Sequence, residues 1–399
     1  MIRYGIILLF VFVIVSCKSI GPAEISVNRK IYNDISRESE LEQLLKNIVR
    51  LRYSESTYFT KITSLTASYS LSSSMSASPN ISYSTNNPGS SSNISRSFGI
   101  GPSLSYSDSP TISYIPVESA EFATQVQTPV TISQLLIPYS SGYYSEISDF
   151  IFIARIIFDS IGDLSNAATL VTTKTIEMPV YDEYYDMLGL IRDLRLQGAL
   201  EIRQTVIKDM TTIHLKFNTR KDANSSKAKR LKKFLNVPAD SDSIYLSESI
   251  SNCVVPEIEE PFSPTSKKYF KSDCLATKAV HVELRSILQV GRFLSWGVNV
   301  PSEHIKAGYA LELQYPDGRV FDTTRLMNHL FKIYSTQTEP SDTEAYVKTN
   351  YRNYWFYIKN SDIDSKITFT FLQRLMTLIA GTQGSVPNNA PVLTIPVGH

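Results

Sequence analysis

Histidine and cysteine are both scarce here, and their spacing excludes more than their number does. The 5 histidines are His214, His281, His304, His329 and His399, and no two stand three or four residues apart. No helix can therefore present a metal-binding pair on one face. HExxH, GxxxxGK(S/T), GxGxxG and GxSxG are all missing, so the chain lacks the signatures of zinc peptidases, P-loop enzymes, dinucleotide enzymes and α/β-hydrolases. An excess of charge is absent as well: 39 Lys and Arg stand against 38 Asp and Glu, a formal net charge of +1. A nucleic-acid binder needs a basic footprint, so nucleic acid is not an expected partner. No apolar run reaches the roughly 20 residues of a spanning helix, and no internal repeat is visible. What remains is an ordinary globular balance, 42% apolar and 19% charged over 399 residues. That is enough chain for two or three domains with cores of their own.

The first residues, "MIRYGIILLFVFVIVSC", break that ordinariness. Arg3 supplies a one-charge n-region, and Tyr4 to Val15 is a continuous apolar run of the length of a signal-peptide core. The run ends Ile14, Val15, Ser16, Cys17, which resembles the lipobox of bacterial lipoproteins. In that chemistry the cysteine thiolate takes a diacylglyceryl group before the peptidase cuts ahead of it, and a small residue at Ser16 admits the cleavage site. The alternative is an ordinary secretory signal with an incidental cysteine. Several acyl chains on one residue give lasting attachment, which one chain does not. Residue 18 is Lys, not the Asp that retains enterobacterial lipoproteins at the inner membrane. The expected location is therefore the outer membrane of a Gram-negative cell, with the lipid on Cys17 and the protein facing the periplasm. Cys253 and Cys274 are the other two of the 3 cysteines. In an oxidising compartment they read as a disulfide or as two free thiols; a metal site has no close partner beyond His281.

Beyond the signal at 1–16, residues 17–37 read as a polar, lipid-anchored tether. A helix is expected from Ser39, with Glu42 completing a capping box and Leu41, Leu44, Leu45, Ile48 and Val49 on one face. Arg50 and Arg52 at its end are expected to be solvated or paired. From Ser64 to Ser113 the composition changes: 20 of the 50 residues are Ser, and only Arg96 and Asp108 are charged. Leu65, Ala67, Tyr69, Leu71, Met75 and Ala77 alternate with serine and threonine. After a turn-rich "TNNPGSSS" the alternation resumes with Ile94, Arg96, Phe98, Ile100, Leu104 and Tyr106. Two amphipathic strands around a turn make a long β-hairpin, closing a region at 38–116.

Residues 117–218 are expected to be mainly helical, with "ESAEFATQVQ", "TISQLLIPY", "EISDFIFIARIIFDSIGDL" and "YDEYYDMLGLIRDLRLQG" as helices and "TTIHLKFN" as a strand. Residues 219–275 read as a loop-rich basic segment. In 276–399 a helix is expected over "VELRSILQVGRFLSWG" and a hairpin turn at Pro316, Asp317 and Gly318. The order "YWFYI", "SDIDSKITFTFLQRLMTLIAG", "PVLTIP" suggests a strand–helix–strand βαβ unit with parallel strands. The fold class is α+β: a Ser-rich amphipathic hairpin, a helical middle region, and a C-terminal mixed sheet with a βαβ unit.

Candidate chemistry is thin. Asp182, Glu183, Asp186, Asp362 and Asp364 sit near helix starts, where capping and dipole compensation explain them. Ser226 and Lys229 have S-x-x-K spacing, but nothing nearby in sequence would desolvate the lysine. Lys227, Lys229, Arg230, Lys232 and Lys233, beside Leu231, Phe234 and Leu235, form either a solvated face or a contact for anionic lipid head groups. His214 falls on the polar side of its strand and is expected to meet solvent. Tyr351, Tyr354, Trp355, Phe356 and Tyr357 read as core. No catalytic, cofactor or metal residue is assigned.

The hairpin is the informative feature. It suits a membrane-inserted pair, since transmembrane strands alternate apolar and polar positions over 9–11 residues; one hairpin cannot close a barrel, so about eight strands would need some four copies. It also suits an amphipathic pair packed on the protein's own body or on a partner, or, less well, a flexible segment. Several blocks, "LLKNIVRLRYSESTYFTKITSLTASYS", "PSLSYSDSPTISYIPVESAEFATQ", "FLSWGVNVPSEH", "YWFYIKNSDIDSKITFTFLQRLMTLIAG" and "APVLTIPVG", together resemble a family of uncharacterised Gram-negative outer-membrane lipoproteins with no assigned activity. The resemblance implies one envelope-anchored architecture over about residues 41–398 and no functional residue. The expected function is a non-catalytic envelope assembly, export or scaffolding component, with an envelope partner or self-association. An oligomeric pore built from the hairpins is the first alternative, and a periplasmic hydrolase the second.

Overall fold

The computed structural model describes residues 20–66, 69–84, 93–108, 111–116, 120–139, 146–166, 181–207, 210–248, 279–312, 320, 322–381 and 393–396. The signal at 1–16, Cys17, Cys253, Cys274, the turn at Pro316–Gly318 and His399 lie outside them. The fold is α+β, and the chain divides into two compact units: Met1–Thr57 with Ala120–Gly384, and Tyr58–Ser119 with Ser385–His399. The division falls between the first helix and the serine-rich strands, which share the sequence region 38–116.

In the larger unit, α1 (Ile20–Arg52) spans 33 residues, about 50 Å of helix. From Ile20 onward the segment expected as a tether is thus helical, and Ser39 lies inside the helix instead of capping it. Pro22 sits in the first turn, where a missing N–H removes no bond. Leu45, Ile48 and Val49 are buried at helical spacing, so the C-terminal half of α1 is a core helix. Further helices are α2 (Ala120–Gln127), α3 (Ile132–Tyr139) and α4 (Glu146–Ile156). The long apolar stretch expected as one helix then changes to strands β5 (Phe158–Ile161) and β6 (Leu164–Ser165), joined at Gly162 with φ 60°. Arg285 and Asn166 end the helix. Arg285 is 3% exposed and donates to Ile156 O at 3.0 Å, to Asn166 O and to Asp159 Oδ1 at 3.1 Å. Asn166 Nδ2 donates to Arg155 O and Phe158 O, both at 2.8 Å. The carbonyls that any helix leaves free at its C-terminus are thereby satisfied in the interior.

Helix α5 (Tyr181–Leu196) ends before Gly198, whose φ of 66° is the left-handed C-terminal conformation. Strands β7 (Leu200–Ile207) and β8 (Met210–Phe217) follow, then α6 (Arg220–Ala223), α7 (Ser226–Phe234) and β9 (Ser243–Ser247). The start of the expected loop-rich basic segment is therefore two helices and a strand. The expected helix beginning at Val282 is strand β10 (Val280–Leu284) followed by α8 (Ile287–Ser295). Ser286 Oγ accepts from Gln289 N and Gln289 Oε1 from Ser286 N, a complete capping box. A six-stranded mixed sheet has the order β6-β5-β10-β9-β8-β7, with β9 and β10 parallel. Leu215, Leu246 and Val282 are buried on one of its faces, in the same core as Tyr184 and Ile191 of α5.

After α9 (Ser302–Lys306) and α10 (Thr324–Met327), a three-stranded antiparallel sheet orders β11 (Tyr334–Thr336), β13 (Tyr354–Lys359) and β12 (Ala345–Tyr351) with β13 central. β12 is a strand that the sequence reading leaves out, although Ala345, Val347 and Thr349 are buried in strict alternation. Its turn to β13 places Arg352 and Asn353 at φ 50° and 65°, a pattern that matches the twist of a tight hairpin. Helix α11 (Ile363–Gly381) runs as expected. The βαβ expectation does not hold. Strand β14 (Leu393–Pro396) pairs antiparallel with a strand of the smaller unit. The reason is topological: β11 and β12 occupy both edges of β13, leaving no edge for a parallel neighbour.

In the smaller unit, β1 (Thr60–Thr66), β4 (Thr111–Pro116) and β14 form a three-stranded sheet in the order β1-β4-β14. The remaining strands, β2 (Tyr69–Ser84) and β3 (Asn93–Asp108), are 16 residues each and pair with one another as a two-stranded sheet.

Candidate functional site

The β2–β3 pairing runs from Tyr69↔Asp108 to Ser84↔Asn93 without a shift. The same register holds beyond residues 67–68 and 109–110, where Thr66 pairs with Thr111. Its consequence is chemical. Leu71 stands opposite Tyr106, Ala77 opposite Ile100 and Tyr83 opposite Ile94, while Ser72, Ser74 and Ser82 stand opposite Ser105, Ser103 and Ser95. Directly opposed residues of an antiparallel pair share a face, so the apolar positions of both strands fall together and the serines fall together. A one-residue slip would have mixed them. At about 3.4 Å per residue the ladder is some 54 Å long, against the 9–11 residues that cross a bilayer. A two-stranded hairpin is marginal on its own in water, and both long edges of this one carry backbone groups with no strand beside them among the described residues.

The basic run lies on α7, and the helix separates its members. Ala228, Leu231 and Lys232 are buried, so one of the five expected head-group contacts points inward: Lys232 Nζ donates to Ala223 O and Ala239 O, each at 2.8 Å. Burial holds its ammonium below the ordinary lysine range. Lys227 pairs with Asp193 at 2.8 Å and Arg230 with Asp186 at 2.9 Å, both on α5. Lys229 and Lys233 remain exposed. Amphipathic periodicity, which the basic count ignores, dictates this division.

His214 does not stand in solvent. It stacks on Tyr245 with ring centroids 4.3 Å apart and an interplanar angle of 7°, and its Nε2 is buried without a partner. Desolvation lowers its proton affinity. Asp182 and Glu183 lie in the first turn of α5, and Asp362 accepts from Ser365 N at 3.1 Å at the start of α11, as capping predicts. Phe356 and Tyr357 are core residues.

Tyr351 and Tyr354 belong to a cluster that sequence reading misses. Tyr53, just after α1, shares a 2.6 Å hydrogen bond with His304 Nδ1, a contact spanning 251 residues of chain. His304 is 6% exposed, and burial holds it below the ordinary imidazole range; burial likewise raises the Tyr53 phenol. Tyr354 Oη donates to Glu303 Oε2 at 2.9 Å. Arg352 donates to Tyr351 Oη at 3.0 Å and to Glu55 Oε1 at 2.9 Å, and lies 4.6 Å over the Tyr309 ring. No local signal in the sequence joins these residues.

A cleft of about 510 Å³ is lined among others by Arg52, Trp296, Met327, His329, Asp364 and Ser365. It brings a serine, a histidine and carboxylates together, but not as a triad. Ser365 Oγ donates to Asp362 Oδ2 and accepts from Lys332 N, both at 2.8 Å, so it faces a carboxylate and not an imidazole base. His329 pairs with Asp364 at 3.4 Å in solvent. The nucleophile–base pair that a hydrolase requires is not formed by these groups. Among the described residues no group of three or more His, Cys, Asp or Glu could hold a metal ion, and no helix is long and apolar enough to cross a membrane. Comparisons with protein-family models, with curated proteins and with solved structures find no match to the chain.

Proposed function

We propose that this chain is a lipid-anchored outer-membrane protein facing the periplasm, and that it works without catalysis as an assembly, export or scaffolding component whose working part is the β2–β3 ladder. The observation that carries this reading is the register. Two strands of 16 residues are paired so that apolar positions coincide on one face and serines on the other. Such a ladder gains stability only when its apolar face and its edges are covered. The lipobox-like end at Cys17 supports the anchored location.

The same ladder favours the pore as a second reading. Its strands exceed the span of a bilayer, and Arg96 and Asp108 are the only charged residues in them. At two strands per copy, a barrel of about eight strands takes some four copies, which removes the open edges that lipid does not tolerate.

The experiment is the native mass of the full-length protein, extracted in mild detergent, beside a variant lacking residues 69–108. That deletion leaves β1, β4 and β14 in place. A discrete oligomer that the deletion reduces to monomer supports assembly through the ladder, and conductance then separates pore from scaffold. Monomers in both cases remove self-assembly, and crosslinking in the envelope must then yield a partner that the deletion loses, or the reading fails.

A further inference from the structure

The cleft of the larger unit holds a cation, Arg52, that forms no ion pair among the described residues. Arg52 is the last residue of α1 and is only partly exposed. Its guanidinium lies 4.9 Å over the Trp296 ring, Nη1 donates to Leu311 O at 2.9 Å, and Nε is shut from water with no partner. Nη2 has no hydrogen bond within the protein among the described residues. The acids that line the same cleft are engaged elsewhere. Asp362 holds Ser365 and Asp364 lies 3.4 Å from His329, and Glu312 has an interaction of its own. Burial pulls Arg52 down to about 10, with no carboxylate opposing that shift, and it stays charged at neutral pH. Beside Arg52 the wall is apolar, with Val298, Val300, Ile305 and Met327 in the lining.

That wall is also built to hold its shape. Val298 and Ile333 form a parallel bridge, with Asn299 N donating to Ile333 O and Ile333 N to Gly297 O, both at 2.9 Å. Gly297 lies so close to the next segment that a Cβ would come within 2.6 Å of Phe331 O. The cleft's volume is that of a small-molecule site, and a half-desolvated guanidinium on an aromatic face donates strongly to a carboxylate.

We infer that this cleft binds a small organic acid, with its carboxylate on Arg52 and an apolar stem along Trp296, Val298 and Met327. The site does not depend on the ladder or on the anchor, so its test stands apart from theirs. The carboxylate neutralises the Arg52 charge, and the stem displaces water from a wall that has no polar use for it.

Trp296 reports the binding, because it lies under Arg52, while the other tryptophan, Trp355, does not line the cleft. The full-length protein in a maltoside detergent is titrated with hexanoate, with hexylammonium and with inorganic phosphate, following tryptophan emission. The expected result is a saturable response to hexanoate, at least tenfold weaker responses to the other two, and at least a tenfold loss of hexanoate affinity in Arg52→Gln. Lys332→Gln, also in the lining, is expected to stay within about twofold of the parent. If Arg52→Gln does not fold, judged by circular dichroism, the comparison of the three probes on the unaltered protein decides alone. No saturable hexanoate response, an equal response to hexylammonium, or unchanged affinity in a folded Arg52→Gln would each overturn the inference.

Discussion

At the scale of single residues, stability in the larger unit depends on buried polar groups that have found partners. Tyr53 and His304 are one such pair. Tyr53→Phe removes the phenol and leaves His304 Nδ1 buried without a bond, at an expected cost of about 1–2 kcal/mol, measurable by denaturant unfolding. The pair also carries a pH dependence. Burial keeps His304 neutral below the ordinary imidazole range, so as pH falls through about 6.5 the unfolded chain takes up a proton first. Stability from this source is complete above that pH and declines below it. Melting temperatures recorded between pH 7.5 and 5 are expected to fall, and to fall less steeply in His304→Asn; an identical slope would remove His304 from the account. His214, also lowered by desolvation, contributes a residual slope of the same sign.

Arg285 is the second case. Its guanidinium ties the end of α4 to β5 and also lies 4.1 Å over the Phe293 ring. Arg285→Met keeps the stem but removes every donor, leaving Asp159 and the helix-end carbonyls unanswered. Truncating one partner of a buried pair costs about 3–5 kcal/mol; because Asp159 is 31% exposed, the lower end is expected, read as a shifted urea midpoint. No change would mean that water satisfies those carbonyls.

At the scale of elements, the ladder makes a prediction that its composition alone does not. Ile100 lies opposite Ala77, and Gly99 opposite Ser78. Ile100→Lys puts a charge among the apolar positions and is expected to abolish the proposed oligomer in mild detergent. Ser97→Lys, opposite Asn80 on the serine face, is expected to leave it intact. Equal effects would show that the two faces are equivalent, contrary to the register. The alternation of this hairpin was legible because a strand's period of two is written locally. Elsewhere the local pattern misled. Residues 146–164 and 282–297 each read as one helix, yet each holds a strand. In the first, the reason is that buried apolar runs look alike in helix and strand; in the second, the strand is only 5 residues long and runs straight on toward the helix. Ser286 and Gln289 did mark the true start of α8 as a capping box.

At the scale of the whole molecule, the proposed attachment would rest on one residue, Cys17. Cys17→Ser is expected to move the protein from the membrane fraction to the soluble one, with loss of label when cells are fed radioactive palmitate. Continued co-sedimentation after a high-salt wash would mean that something other than lipid on Cys17 holds it. By itself, the sequence determined the lipobox-like end, the α+β class, the core face of α1 and the two faces of the ladder. Each is a local pattern of side-chain type against backbone period, and a pattern of that kind needs no knowledge of neighbours. Only the tertiary structure decided that β14 joins β4 instead of β13, that Lys232 turns inward, and that Tyr53 meets His304. It also decided that Arg52 lies over Trp296 with no ion pair among the described residues. Those outcomes depend on which free edge, carbonyl or ring the rest of the chain brings near, and residues hundreds of positions apart carry no mark of one another until the core has formed.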